Sequence, residues 1–112
     1  MIKLKGKEVV VAGLDKSGIG AVKYCLSKGA NVTVVDLRNR LEVQKAINLL
    51  KDLEFKTEFG RYNPKTFLDA DLVLYSMKTK HDDRVLSQVK DKKVPLKTEY
   101  EFTSELITKP VI

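Results

Sequence analysis

The sequence has one cysteine, Cys25, one histidine, His81, three prolines and no tryptophan in 112 residues. A lone thiol excludes an internal disulfide framework and fits a reducing, cytoplasmic setting. No apolar run approaches the roughly 20 residues that a membrane-spanning helix requires, so no membrane partner is expected. The opening Met1-Ile2-Lys3-Leu4-Lys5-Gly6-Lys7 is basic, yet it lacks the apolar stretch and small-residue cleavage site of a secretory signal. His81 has no Cys, His or carboxylate set at metal-ligand spacing around it, which reads as a surface histidine and predicts no metal site. No serine occupies a nucleophile elbow, and no glycine-rich loop ends in Gly-Lys-Ser or Gly-Lys-Thr. No catalytic centre is expected within the chain.

What is present is ordinary for a globular protein, with 43% hydrophobic and 32% charged residues. The length suits one domain, residues 1–112. Net charge is +6, from 21 Lys and Arg against 15 Asp and Glu. Most cations are interleaved with acids, as in Lys90-Asp91-Lys92-Lys93, and no aromatic-basic alternation offers a stacking surface for bases. This argues for attraction of small anionic ligands and against a nucleic-acid partner.

The chain is organised around Glu8-Val9-Val10-Val11-Ala12-Gly13 and the turn Leu14-Asp15-Lys16-Ser17-Gly18 that follows. An apolar strand breaking at glycine and reopening as a helix presents free backbone N–H groups at the helix start, which suits a phosphate. The helix keeps Ile19, Val22 and Leu26 in phase, places Cys25 inward as a small buried hydrophobe, and stops at Lys28-Gly29. A second strand, Asn31 to Asp36, ends in a carboxylate. Asn39 and Glu42 predict a helix cap, with a helix through Val43, Ala46, Ile47, Leu50 and Leu53. Phe55 to Phe59 alternates like an edge strand, Asn63-Pro64 opens a short helical turn through Phe67-Leu68, and Asp71 to Ser76 reads as a buried strand. A loop from Met77 to Asp83 leads to a helix at about 82–92, then a short strand Val94 to Lys97. Thr98 and Glu101 form a capping box for a last helix through Phe102, Leu106 and Ile107.

Strands separated by helices of this length predict an α/β fold, a Rossmann-like doubly wound parallel five-stranded sheet in the order 3-2-1-4-5. The crevice would lie where Gly13, Asp36 and Ser76 converge at strand carboxyl ends. The turn keeps the first and last glycines of a dinucleotide fingerprint but has Asp15 where the middle one belongs, adding bulk and like charge. Two glycines can equally make a tight turn and nothing more. Asp36 can accept hydrogen bonds from a ribose or base, and Arg38 can stack on a base or pair with phosphate; a solvated loop fits the same residues. The pattern alone reaches a nucleotide-sized anion-binding domain, with a dinucleotide-sensing regulatory module and a degenerate scaffold as the other readings.

From Leu4-Lys5-Gly6-Lys7-Glu8 through Gly18, the chain resembles the opening of the UDP-N-acetylmuramoylalanine–D-glutamate ligases of the Mur ligase family. Gly29 to Asp36, Ala70 to Ser76, Val94-Pro95-Leu96 and Glu99-Tyr100-Glu101-Phe102 follow in the family's order. The resemblance implies a Rossmann-like first domain that holds the uridine diphosphate end of UDP-N-acetylmuramoyl-L-alanine. Adding D-glutamate in peptidoglycan synthesis, with ATP and magnesium, would belong to ATP-binding and C-terminal domains of the parent chain. No cofactor is implied for this domain. By position, Lys16, Ser17 and Gly18 would meet the diphosphate, Asp36, Leu37 and Arg38 would grip uracil and ribose, and Gly60 and Ser76 would flank the pocket. The chain departs from the family's Ser-Pro-Gly turn with Ser76-Met77-Lys78. It stops at Lys109-Pro110-Val111-Ile112, just before the ATP loop the resemblance leads to, so the chain alone is expected to be inactive.

Overall fold

The structure is a computed structural model that describes residues 3–107. Ten elements alternate: β1 (Glu8–Ala12), α1 (Lys16–Ser27), β2 (Asn31–Asp36), α2 (Gln44–Asn48), β3 (Lys56–Phe59), α3 (Pro64–Leu68), β4 (Leu72–Tyr75), α4 (Asp83–Asp91), β5 (Leu96–Thr98) and α5 (Glu99–Ile107). The five strands pair in parallel in the order β3-β2-β1-β4-β5. This is the sheet expected from the sequence. The expectation about Lys109-Pro110-Val111-Ile112 concerns residues outside those described.

The three inner strands, β1, β2 and β4, bury both faces, as a parallel sheet between helix layers must. Val9, Val11, Val34, Leu72 and Leu74 pack with Val22 and Cys25 of α1 and with Ile47 and Leu50 on one side. Val10, Ala12, Val35 and Val73 pack with Phe67 of α3 and with Val85, Leu86 and Val89 of α4 on the other. Cys25 is fully buried, and burial pushes its thiol up to about 11, so it is the inert hydrophobe expected. The outer strands are short, with four residues in β3 and three in β5, and each carries a lysine, Lys56 and Lys97.

Helix ends follow their caps. Asp82 accepts from the Arg84 amide, Asn63 accepts from the Lys65 amide with Pro64 at the first helical position, and Thr98 and Glu101 close a reciprocal capping box at 2.9 and 3.0 Å. Gly29, at φ +84°, ends α1 in the left-handed conformation.

Two elements differ from expectation. The long helix through Leu53 contracts to α2, five residues. Asn39 and Glu42 do bond reciprocally, but the amides of Glu42, Gln44, Leu49, Leu50 and Leu53 donate three residues back, to Asn39, Leu41, Ala46, Ile47 and Leu50. The segment is therefore a series of tight turns around one helical turn. Leu41 and Leu49 face solvent and Leu53 is partly exposed, while Val43, Ile47 and Leu50 supply the buried contacts. The last strand starts at Leu96 rather than Val94, since Pro95, which has no amide to donate, enters the ladder only through its carbonyl, bonded by the Val73 amide at 2.8 Å.

Candidate functional site

The glycine turn joins β1 to α1 at the carboxyl edge of the sheet. Gly13 adopts φ +99°, and a Cβ there would lie 2.3 Å from Thr79 Oγ1 and 3.0 Å from Ser76 Cβ, so the loop after β4 packs directly on it. A Cβ on Gly18 would stand 2.2 Å from the Gly13 carbonyl oxygen. The second glycine thus lets the first turn of α1 rest against β1. Gly13, Asp36 and Ser76 do converge: the Gly13 amide donates to Val35 O, the Leu14 amide to Asp36, and the Ser76 amide to Ala12 O.

Asp15 caps α1. Its Oδ1 accepts from the Gly18 amide at 2.9 Å and its Oδ2 accepts from the Ser76 hydroxyl, which in turn accepts from the Lys78 amide at 3.1 Å. In place of a proline ring, a hydroxyl organises the turn after β4. The amides of Lys16 and Ser17, the first two of the helix, have no acceptor among the described residues, and both side chains are exposed. They leave the N-terminal end of α1 open to solvent.

Asp36 is turned inward. Its Oδ1 accepts from the Arg38 amide and Nε at 2.9 Å each, and its Oδ2 accepts from the Leu14 amide at 2.9 Å and from Arg38 Nη2 at 2.8 Å. Four donors fill a carboxylate's acceptor positions. Burial pushes this carboxyl up, but the Arg38 guanidinium and the two amides outweigh it and hold it below the usual carboxylate range. Asp36 thereby fixes Leu14 and Arg38 in place. Arg38 spans the crevice, its Nη2 also 3.4 Å from Leu14 O, with its side chain 42% exposed. Leu37 is half-buried against the α3–α4 side of the core. Gly60, at φ +95°, donates its amide to Asp36 O and Arg38 O, and a Cβ there would meet open space.

His81 is half-buried rather than a surface residue. Its Nε2 donates to Ser76 O, and its Nδ1 accepts from the Tyr62 hydroxyl, fixing the tautomer. Tyr62 is itself buried, packed on Phe67 at 4.8 Å between ring centroids. The pair braces the loop that covers Gly13. No local pattern in the sequence links residues 19 positions apart on a loop, so this brace had no signal to find.

Glu99, the first residue of α5, is the other residue sequence reasoning passed over. It is 4% exposed, and neither carboxyl oxygen has a hydrogen-bond partner among the described residues. Its Oε1 lies 3.3 Å from where a Cβ on Gly18 would be. Burial, reinforced by the Asp15 charge, pushes it up to about 8. No group of three metal-capable side chains occurs among the described residues, and no helix among them is long and apolar enough to cross a membrane.

The model of the Mur ligase MurD-like N-terminal domain matches residues 7–97. UDP-N-acetylmuramoylalanine–D-glutamate ligase from Desulfatibacillum aliphaticivorans is 36% identical over 109 residues, 97% of this chain, and the enzyme of the same name from Koribacter versatilis is 33% identical over 109 residues. The chain spans 24% of the length of each. Among solved structures, a pseudomurein peptide ligase type C from Methanothermus fervidus covers 94% of this chain at TM-score 0.70 and 20% identity, with 21% of that chain covered. A precorrin-2 dehydrogenase, SirC, covers 86% at TM-score 0.59 and 21% identity, with 46% of that chain covered. At such identities these two share the fold. The sequence matches go further: the chain belongs to the Mur ligase family, as a MurD-like N-terminal domain.

Proposed function

We propose that this domain holds the uridine diphosphate end of UDP-N-acetylmuramoyl-L-alanine for an ATP-dependent ligase that adds D-glutamate in peptidoglycan synthesis. Lys16 and Ser17 supply amides to the diphosphate, Gly18 allows the close turn, and Arg38, with Leu37 and Gly60 beside it, borders the nucleoside. Ser76 and Asp36 act from behind, holding the turn and the guanidinium in position. The chain itself contributes binding only; ATP, magnesium and amide formation belong to other domains of the parent protein, working in the cytoplasm.

The observation that carries this reading is the pair of unclaimed amides at the start of a 12-residue helix in a domain of this family. It also favours a uridine nucleotide over a dinucleotide, since Asp15 occupies the position through which a backbone would approach an adenine dinucleotide's pyrophosphate. Isothermal calorimetry with UDP-N-acetylmuramoyl-L-alanine, and separately with NADH, tests it. Binding of the uridine compound, weakened about tenfold or more by Asp36→Ala through loss of the Arg38 anchor, is expected. Binding of NADH without any uridine nucleotide would overturn the reading.

A further inference from the structure

A carboxyl group taken out of water needs either a cation or several donors to remain ionised. Glu99 has neither. Both of its oxygens are buried and unpartnered among the described residues, and its Oε1 is aimed at the first turn of α1 beside Gly18. α5 is seated there by the Tyr24–Phe102 edge contact, 5.7 Å between ring centroids. The capping box spends Thr98 and Glu101 on each other, and Thr103 bonds the Glu99 backbone carbonyl rather than its side chain.

The charged groups around it do not compensate. From α1, Asp15 faces it with like charge, while Lys16 is exposed. From β5, Lys97 is engaged by Glu105. On α5, Glu101 is committed to the Thr98 amide. β1 and β4 end in Ala12 and Tyr75, followed by Gly13 and Ser76, none of which carries a charge. The lysine after them, Lys78, is exposed. Among the described residues the one favourable influence is the start of α5 itself, whose amides make no bond to the carboxyl.

We propose that Glu99 is a proton-binding site coupled to the anion site at the start of α1, so that a diphosphate binding there draws a proton from solvent onto the Glu99 carboxyl. The inference rests on the diphosphate reading of that helix end. A diphosphate brings negative charge to the same helix turn that Glu99 abuts from behind. Across a few ångströms of protein interior, that charge disfavours a carboxylate and favours its neutral acid. Linkage then works in both directions: a proton on Glu99 strengthens diphosphate binding, and diphosphate raises the affinity of Glu99 for its proton. Because burial already raises this carboxyl to about 8, the coupling operates at and just above neutral pH. Binding is tightest where Glu99 is neutral and weakens as pH rises through its titration. A further rise of roughly one pKa unit on binding weakens affinity about threefold between pH 7 and pH 8.5.

UDP-N-acetylmuramoyl-L-alanine is a suitable probe up to pH 8.5, where its diphosphate diester, its carboxylate and its uracil imide keep essentially one charge state. Calorimetry at pH 8 in two buffers of different ionisation enthalpy counts the protons taken up. The expected result is a fractional proton uptake and an about threefold affinity loss toward pH 8.5 for the unaltered chain, with both absent in Glu99→Gln, which keeps the shape and still binds at pH 7. A ¹³C-carboxyl titration of Glu99 without ligand gives an independent readout, with a midpoint near 8 expected. Equal proton uptake in Glu99→Gln, no uptake in either protein, or a Glu99 midpoint near an ordinary carboxylate value overturns the coupling while leaving diphosphate binding intact. Absence of any binding by the unaltered chain overturns the functional reading instead.

Discussion

Asp36 and Glu99 are almost equally buried, 2% and 4% exposed, and stand at the same edge of one sheet. Asp36 receives four hydrogen bonds, two of them from a guanidinium, and is held as a carboxylate. Glu99 receives none among the described residues and is pushed toward its neutral acid. Burial alone therefore says little about what a carboxyl group does; the donors around it decide. One acid is a fixed part of the scaffold at physiological pH, and the other is poised to change charge there.

The largest expected effect comes from making Asp36 resemble Glu99. Arg38→Met removes the guanidinium and leaves the buried carboxylate with two amides. A cost of about 3 kcal/mol at pH 7 is expected in urea unfolding, discounted from the usual penalty because Arg38 is partly solvated. In the unaltered chain the Asp36 contribution is fully present above its ordinary value near 3.8 and is lost as pH falls through the lower folded-state value. In Arg38→Met, part of the deficit should disappear as acid neutralises Asp36. A deficit independent of pH would mean that Arg38 acts by packing alone.

Next in size is the converse change. Glu99 titrates near 4.5 when unfolded and at about 8 in the fold, so the fold binds its proton more tightly. Its contribution is most favourable below 4.5, declines as pH rises from there to about 8, and is constant above. Glu99→Gln is expected to stabilise the domain by about 2 kcal/mol at pH 6, with the gain vanishing near pH 4.5. Thermal melts across that range check it, and a destabilised variant at pH 6 would show that the carboxylate has a partner after all.

A neutral contact at the same edge sharpens the contrast. Tyr62→Phe removes the donor to His81 without leaving a charge behind, and a loss of about 1 kcal/mol is expected in urea unfolding at pH 8. Hydrogen exchange at Lys78, whose amide bonds Ser76 Oγ, should quicken if the His81 brace holds that turn.

The fold was legible because its signals are local and mutually consistent. Alternation of apolar strands with capped helices implies a parallel sheet, and Asn63, Asp82 and Thr98 mark helix starts that the structure confirms. The segment 40–53 misled because Val43, Ile47 and Leu50 satisfy helical spacing equally well when carried on successive tight turns. At the site, the glycine spacing located the helix end, but not which way each acid points. Asp36 looked available because its partner, Arg38, reaches back only two residues to enclose it. Glu99 drew no notice beside Glu101, whose capping role is visible from spacing, whereas the isolation of Glu99 arises from α1, 80 positions earlier, folding over it.

The brevity of β3 and β5 has a consequence for how the molecule meets copies of itself. Each offers only a few backbone groups along an outer margin, and β3 also carries the exposed Lys56 there. A foreign strand laid against either would gain few bonds, and against β3 it would have to strip water from a cation. The sheet is thereby capped against growing sideways into fibrils.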